Sequence, residues 1–264
     1  MEDKLRSRFG WRELGLGLLI VAPLFYLMLV HGAPIPQDST YHVFADTRTC
    51  LGLDNFGNVA SNLGFLLVGA IGVLWCLRNP GTQAVCSWTT FFLGVALVFF
   101  GSGYYHSSPG DESLVWDRLP MTVAFMGVFS ALLSEHLGKE LERRLLIPAL
   151  AVGIASVILW KMTDDLRVYI WVQLAPLLAI CYVIAVYPGR HTHRHYLLYA
   201  VGFYALAKVA EFYDDGVYAL SSAAISGHSL KHVLAAVAPF CVYLMLKRRA
   251  SMEGGSRKAE VGRT

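Results

Sequence analysis

Eight stretches of this chain are each apolar over close to the length that crosses a bilayer as a helix, about 20 residues, and only short polar loops separate them. They fall at residues 12–31, 54–77, 88–106, 115–134, 144–160, 167–187, 196–213 and 228–246. In lipid a helix satisfies its own backbone N–H and C=O groups, so the expected fold is all-α, a polytopic membrane helical bundle of eight spans. Composition points the same way, since 55% hydrophobic residues and a mean hydropathy of +0.49 are far from an average soluble domain.

The first run follows Lys4, Arg6, Arg8 and Arg12, which is also how a signal peptide begins. No good A-x-A-like site follows, VHGAPIP being a weak substitute, so the run is read as a genuine span. Grouping both termini with the loops at 78–87, 135–144 and 188–195 collects sixteen basic residues on one side. Arg190, Arg194, Arg257, Lys258 and Arg263 are among them. The other side holds five: Arg48, Arg118, Lys161, Arg167 and Lys231. Both termini are therefore expected to be cytoplasmic.

The net charge of +3 is accounted for by this topology and calls for no nucleic acid. No obligatory protein partner is evident; the expected partners are the membrane and a lipid. Five cysteines form no CxxC spacing, only Cys50 lies clearly on the outer side, and no disulfide is expected. The domain reading is 1–53 for an N-terminal transmembrane helix and exoplasmic loop, 54–246 for a seven-helix core, and 247–264 for a disordered cytoplasmic tail.

Polar residues interrupt the apolar runs at one membrane face. The last run opens GHSLKH, where His228 and His232 are four apart and share a helix face. Such a pair also fits the headgroup level with no further role. The third run ends with Ser102 and His106, again four apart, and the fourth opens with Asp117. Three helices distant in sequence thus bring these five residues to the same end of the bundle. Three histidines with an open fourth position are a catalytic zinc ligand set, and a carboxylate and a hydroxyl beside them suit hydrolysis of a carbonyl compound.

With S-x3-H, an aspartate eleven residues on, H-x3-H in the last run and NVASN at 58–62, the chain resembles the alkaline ceramidases, within the superfamily that includes the progestin and adipoQ receptors. The resemblance covers residues 54–246. It implies a seven-helix ceramidase-like core, Zn2+ held by His106, His228 and His232, and Asp117 and Ser102 as catalytic residues acting on a lipid amide. The extra N-terminal span departs from the family. So does the first loop: YHVFADTRTCLGLDN offers Asp46, Asp54 and Asn55 but not the acidic segment through which the ceramidases bind Ca2+, so calcium is left open.

Asn58, Ser61 and Asn62 are expected to make interhelical hydrogen bonds or to orient a zinc ligand. Lys208 and Glu211, three apart, are expected to pair within the membrane. RHTHRH at 190–195 is read as a topology signal, His42 and Asp46 as part of a solvated loop, and Trp88, Trp116, Trp160, Tyr187 and Tyr196 as an interfacial aromatic belt. The expected activity is hydrolysis of ceramide or a related N-acyl lipid to fatty acid and amine. The alternatives are a receptor-like protein with a structural or weakly hydrolytic zinc and, third, a transporter, which lacks an obvious inverted repeat. A bacterial plasma membrane with the site at the exoplasmic face is the expected location.

Overall fold

The computed structural model describes residues 10–187 and 192–261, the last eleven of these by backbone alone. Lys4, Arg6, Arg8, Arg190, His191 and Arg263, and the side chains of Arg257 and Lys258, lie outside the described residues. Among the described residues there are ten α-helices and no strand. They are α1 (Trp11–Phe25), α2 (Phe56–Ser61), α3 (Leu63–Arg78), α4 (Val85–Ser107), α5 (Asp111–Leu137), α6 (Leu141–Thr163), α7 (Arg167–Val186), α8 (His195–Phe212), α9 (Asp214–Leu220) and α10 (Gly227–Val261). A wider turn over Tyr26–His31 extends α1. α10 continues beyond Leu246, where the apolar pattern ends the last span.

Among the described residues, seven helical segments are long and apolar enough to cross a membrane: Trp11–His31, Phe56–Arg78, Val85–Ser107, Asp111–Leu137, Leu141–Thr163, Arg167–Val186 and Gly227–Ala250. α8, which corresponds to the run at 196–213, is not one of them. It has the length, but Lys208 and Glu211 fall in its outer half; both line a cavity, and the Lys208 side chain is also 51% exposed.

Apolarity and burial run in opposite directions along the bundle. α1, the most apolar segment, has only 6% of its span buried, whereas α5, the least apolar, has 67%. A helix surrounded by lipid needs apolar residues all round, while one enclosed by other helices can carry polar groups inward. α5 accordingly buries Arg118, Thr122, Ser130, Ser134 and Glu135, with α4, α6 and α7 packed against it.

The α4–α5 seam positions half the site. A Cβ on Gly101 would strike the carbonyl of Trp116, and one on Gly94 would lie 2.5 Å from the backbone nitrogen of Ala124. Pro120 has no N–H to offer Trp116 four residues earlier, so this carbonyl is free where Gly101 approaches. At the opposite end of the bundle Glu135 accepts from the Trp88 indole at 3.0 Å and from Arg249 at 3.0 and 3.1 Å, tying α5 to α4 and α10. Trp88, Trp160 and Tyr187 are buried, which corrects their assignment to an interfacial belt. Their bulk fills the space between helices instead, while Trp116 remains exposed.

Candidate metal centre and active site

His106 ends α4, and His228 and His232 open α10, so both helices deliver imidazoles to one level of the bundle. All three are buried. His106 Nε2 lies 3.3 Å from His232 Nε2 and 3.3 Å from His228 Nε2. The ring centroids form a nearly equilateral triangle of 4.8, 4.9 and 5.0 Å. These three residues could hold a metal ion, and among the described residues no other group of three His, Cys, Asp or Glu side chains gathers in this way.

Polar side chains aim the ring of His232. Its Nδ1 lies 2.8 Å from Ser61 Oγ, and Ser61 donates its own proton to the Asn58 carbonyl at 3.0 Å. The hydroxyl oxygen therefore accepts from Nδ1–H, which leaves the Nε2 lone pair facing the other histidines. Asn58 itself holds the start of α10, its Oδ1 accepting from Ser229 at 2.8 Å and Ser226 at 3.3 Å. Asn62 donates to the Asn58 carbonyl at 2.8 Å and stays within its own helix turn. His228 is fixed through its backbone, whose N–H donates to Asp214 Oδ1 at 2.6 Å. His106 Nδ1 has no hydrogen-bond partner, although Asn55 Nδ2 donates to the His106 carbonyl at 2.9 Å.

Asp117 on α5 and Ser102 on α4 stand on the two sides of the α4–α5 seam. Both line a cavity of about 320 Å³ together with His232, Lys208, Glu211 and Lys231. Lys208 and Glu211 pair at 2.7 Å, and Lys231 reaches the second oxygen of Glu211 at 2.8 Å. Lys231 Nζ is also 2.9 Å from His228 Nε2, so this residue, counted as a loop charge from the sequence, belongs to the site. Apart from these groups, Arg118 and Gln173, the cavity wall is mostly apolar, including Val98, Met121, Phe125, Val128, Ile180 and Val242.

The first loop is not solvated at this point, which corrects the expectation for Asp46. Asp46 is buried and bound by the Arg48 guanidinium at 2.7 and 2.8 Å, and that hydrogen bonding holds its carboxyl below the usual carboxylate range. Phe44 lays its ring 4.9 Å from His106 and 4.7 Å from His228. Tyr41 donates to Glu211 at 3.3 Å, and burial first, then Glu211, pushes its phenol well above its ordinary value. His42 bridges Tyr105 at 3.0 Å and Asp111 at 3.1 Å, further out. Of the residues weighed for calcium, Asp54 accepts from Thr49 at 2.6 Å, while Asp46 and Asn55 are engaged as described.

Phe44, Tyr41, Arg118 and Lys231 were not singled out from the sequence as site residues. For Lys231 a signal exists: a cation placed between two histidines on an apolar helix. Phe44 carries none, being one aromatic in a loop. No curated protein sequence matches the chain. Residues 54–261, well over half its length, match the family model described as Ceramidase, and with the bundle and the histidine cluster already in place the chain belongs to the ceramidase family.

Proposed function

We propose that this protein is a zinc-dependent hydrolase of lipid amides, ceramide or a related N-acyl lipid, releasing a fatty acid and an amine. One observation carries the proposal: a single cavity is lined by His232, Asp117 and Ser102 and, over most of its remaining wall, by aliphatic and aromatic side chains. An acyl chain among the apolar walls would bring its amide to these three residues.

The donor set fits zinc. Two vertices of a tetrahedron around an ion with bonds of about 2.0–2.1 Å are ~3.3–3.4 Å apart, which matches the two 3.3 Å separations from His106 Nε2. Lys231 donates to the lone pair of His228 that a metal would take, and Glu211 at 2.8 Å keeps this ammonium paired when that contact is given up. Zinc held by His106, His228 and His232 would act as a Lewis acid, acidifying water and polarising a carbonyl.

Asp117 takes a proton from the attacking water as its oxygen joins the carbonyl carbon, and returns that proton to the amine nitrogen as the C–N bond breaks. Ser102, across the seam from Asp117, turns its hydroxyl to the carbonyl oxygen as negative charge develops there. Phe44 and the first loop limit water beside the histidines. The distribution of basic residues supports cytoplasmic termini and a site at the exoplasmic face; the proposed membrane is a bacterial plasma membrane.

Metal analysis of the detergent-purified protein, with ceramide turnover on the same samples, tests the proposal. Expected is close to one zinc per chain, lost in His106→Ala together with turnover. Wild-type protein without zinc, or zinc-loaded protein inert toward every N-acyl lipid, would overturn it.

A further inference from the structure

Lys231 stands between the two histidines that open α10, three residues after His228 and one before His232. Its side chain keeps 16% of its surface accessible and lines the cavity together with His232, Ser102 and Asp117. An ammonium carries three N–H donors and no acceptor. One donates to Glu211 Oε1 at 2.8 Å and a second to His228 Nε2 at 2.9 Å, and the third has no partner among the described residues.

This lysine is more than a counter-ion for Glu211. That carboxylate is already bound by Lys208 at 2.7 Å and by the Tyr41 hydroxyl at 3.3 Å. Lys208 is 51% exposed and donates to Glu211 alone among the described residues. Lys231 is the one of the two that reaches a histidine. Glu211 therefore serves as a fixed anchor that holds the Lys231 ammonium in place beside His228.

The position relative to the other polar groups is informative. Ser102 lies four residues before His106, where α4 ends, and Lys231 three residues after His228, where α10 begins. Each is set back about one turn, ~5 Å, along its helix from a histidine. A hydroxyl and an ammonium thus approach the histidine cluster from two different helices, both from the side away from the helix ends. His228 Nε2 is the atom through which that residue would hold zinc, so a donor 2.9 Å from it stands at the reacting centre. Addition of water to an amide puts negative charge on the carbonyl oxygen, and a fixed cationic donor there lowers the barrier.

We infer that Lys231 is a further catalytic residue: held by Glu211, its ammonium donates a hydrogen bond to the carbonyl oxygen of the scissile amide as that oxygen gains negative charge, alongside Ser102. The ammonium keeps its protons throughout. As the C–N bond breaks, the electron pair on oxygen re-forms the carbonyl and Asp117 passes its proton to the leaving nitrogen. This inference rests on the hydrolase reading of the same cavity.

The test uses zinc-loaded wild type, Lys231→Met and Lys231→Gln with ceramide and two unreactive analogues of the same acyl chain. One analogue has a phosphinate in place of the amide and the other a neutral ether. Lys208 and Tyr41 keep Glu211 paired in both variants. Removing one oxyanion donor costs about 10²–10³ in kcat, so Lys231→Met should lower kcat by about that factor. KM and zinc content should stay unchanged, because the contact is made only in the transition state. Binding of the phosphinate, which needs no turnover, should weaken about 10- to 100-fold, the worth of one charge-assisted hydrogen bond, while ether binding stays the same. Lys231→Gln keeps a neutral donor on a shorter side chain and should show smaller losses of the same kind; it decides the matter if the methionine variant does not fold. An unchanged kcat, or phosphinate binding no more affected than ether binding, overturns the inference. Loss of zinc from both variants assigns the lysine to upkeep of the metal site and overturns it as well. If only inhibition by palmitate weakens, the ammonium receives the released carboxylate, and the oxyanion role is overturned. Should wild type fail to hydrolyse ceramide, the hydrolase reading fails by itself. Phosphinate binding then decides the donor: selective weakening in Lys231→Met supports it, and unchanged binding overturns it.

Discussion

Ser61 Oγ lies 2.8 Å from His232 Nδ1, so a residue of the first core helix sets the orientation of an imidazole 171 positions further along the chain. Groups that hold the far nitrogen of a metal-binding histidine fix its tautomer, and losing one typically weakens metal binding about 10- to 100-fold. Ser61→Ala should therefore raise the zinc Kd by about that factor, measured by competition with a chelator. An unchanged Kd would mean that the hydroxyl is merely a neighbour.

Asp117 should separate chemistry from metal retention. Asp117→Asn preserves the size of the side chain and removes its ability to take and return a proton, an ability worth about 10²–10⁴ in rate. Turnover should fall by at least about 10² with zinc stoichiometry unchanged. Loss of zinc along with activity would instead assign the aspartate a structural part.

Phe44 covers two of the histidines, with centroid separations of 4.9 and 4.7 Å. Truncating a buried phenylalanine to alanine costs about 3–5 kcal/mol in a rigid core, and less is expected here because a loop can settle. Phe44→Ala should lower the thermal midpoint and speed zinc removal by EDTA. A variant that keeps its metal as long as wild type would show that the loop does not shield it.

Gly101 lets α4 approach the free carbonyl of Trp116. A methyl group there forces the helices apart, and overpacking of this kind costs about 1–3 kcal/mol. Because Ser102 and Asp117 stand on the two sides of the same seam, Gly101→Ala should reduce kcat as well as thermal stability, which parallel unfolding and turnover assays would resolve.

Asp46 gives an acid limb of definite sign. Arg48 holds its folded pKa below the unfolded value of about 3.9. Its contribution is therefore fully present above that value and is lost as pH falls toward the folded pKa. Between about pH 4 and 2, Asp46→Asn should lose less stability than wild type. Parallel acid denaturation curves for the two proteins would assign that limb to other carboxylates.

Much of the architecture was written in one dimension. Helix length and apolarity are properties of a segment and of bilayer thickness, so the all-α bundle follows from the runs themselves. The level of the histidines follows too, because each motif sits at a helix end and the helices alternate in direction. α8 is the instructive exception: Lys208 and Glu211 lower its apolarity, and only the cavity beside it explains why a helix within a bundle carries them.

What the chain order could not express is the sideways packing of helices and the path of the first loop. Ser61 meeting His232, Phe44 covering His106 and His228, and Lys231 shared between Glu211 and His228 all join segments far apart in sequence. Arg118 reads in the sequence as one more outer charge; in the fold it is buried, with its guanidinium against the rings of Trp160 and Tyr169. Apolarity and periodicity are local quantities and were decided by the sequence itself. Which polar groups meet was decided by the tertiary structure, because a buried donor must find its partner wherever the packing of other segments puts one.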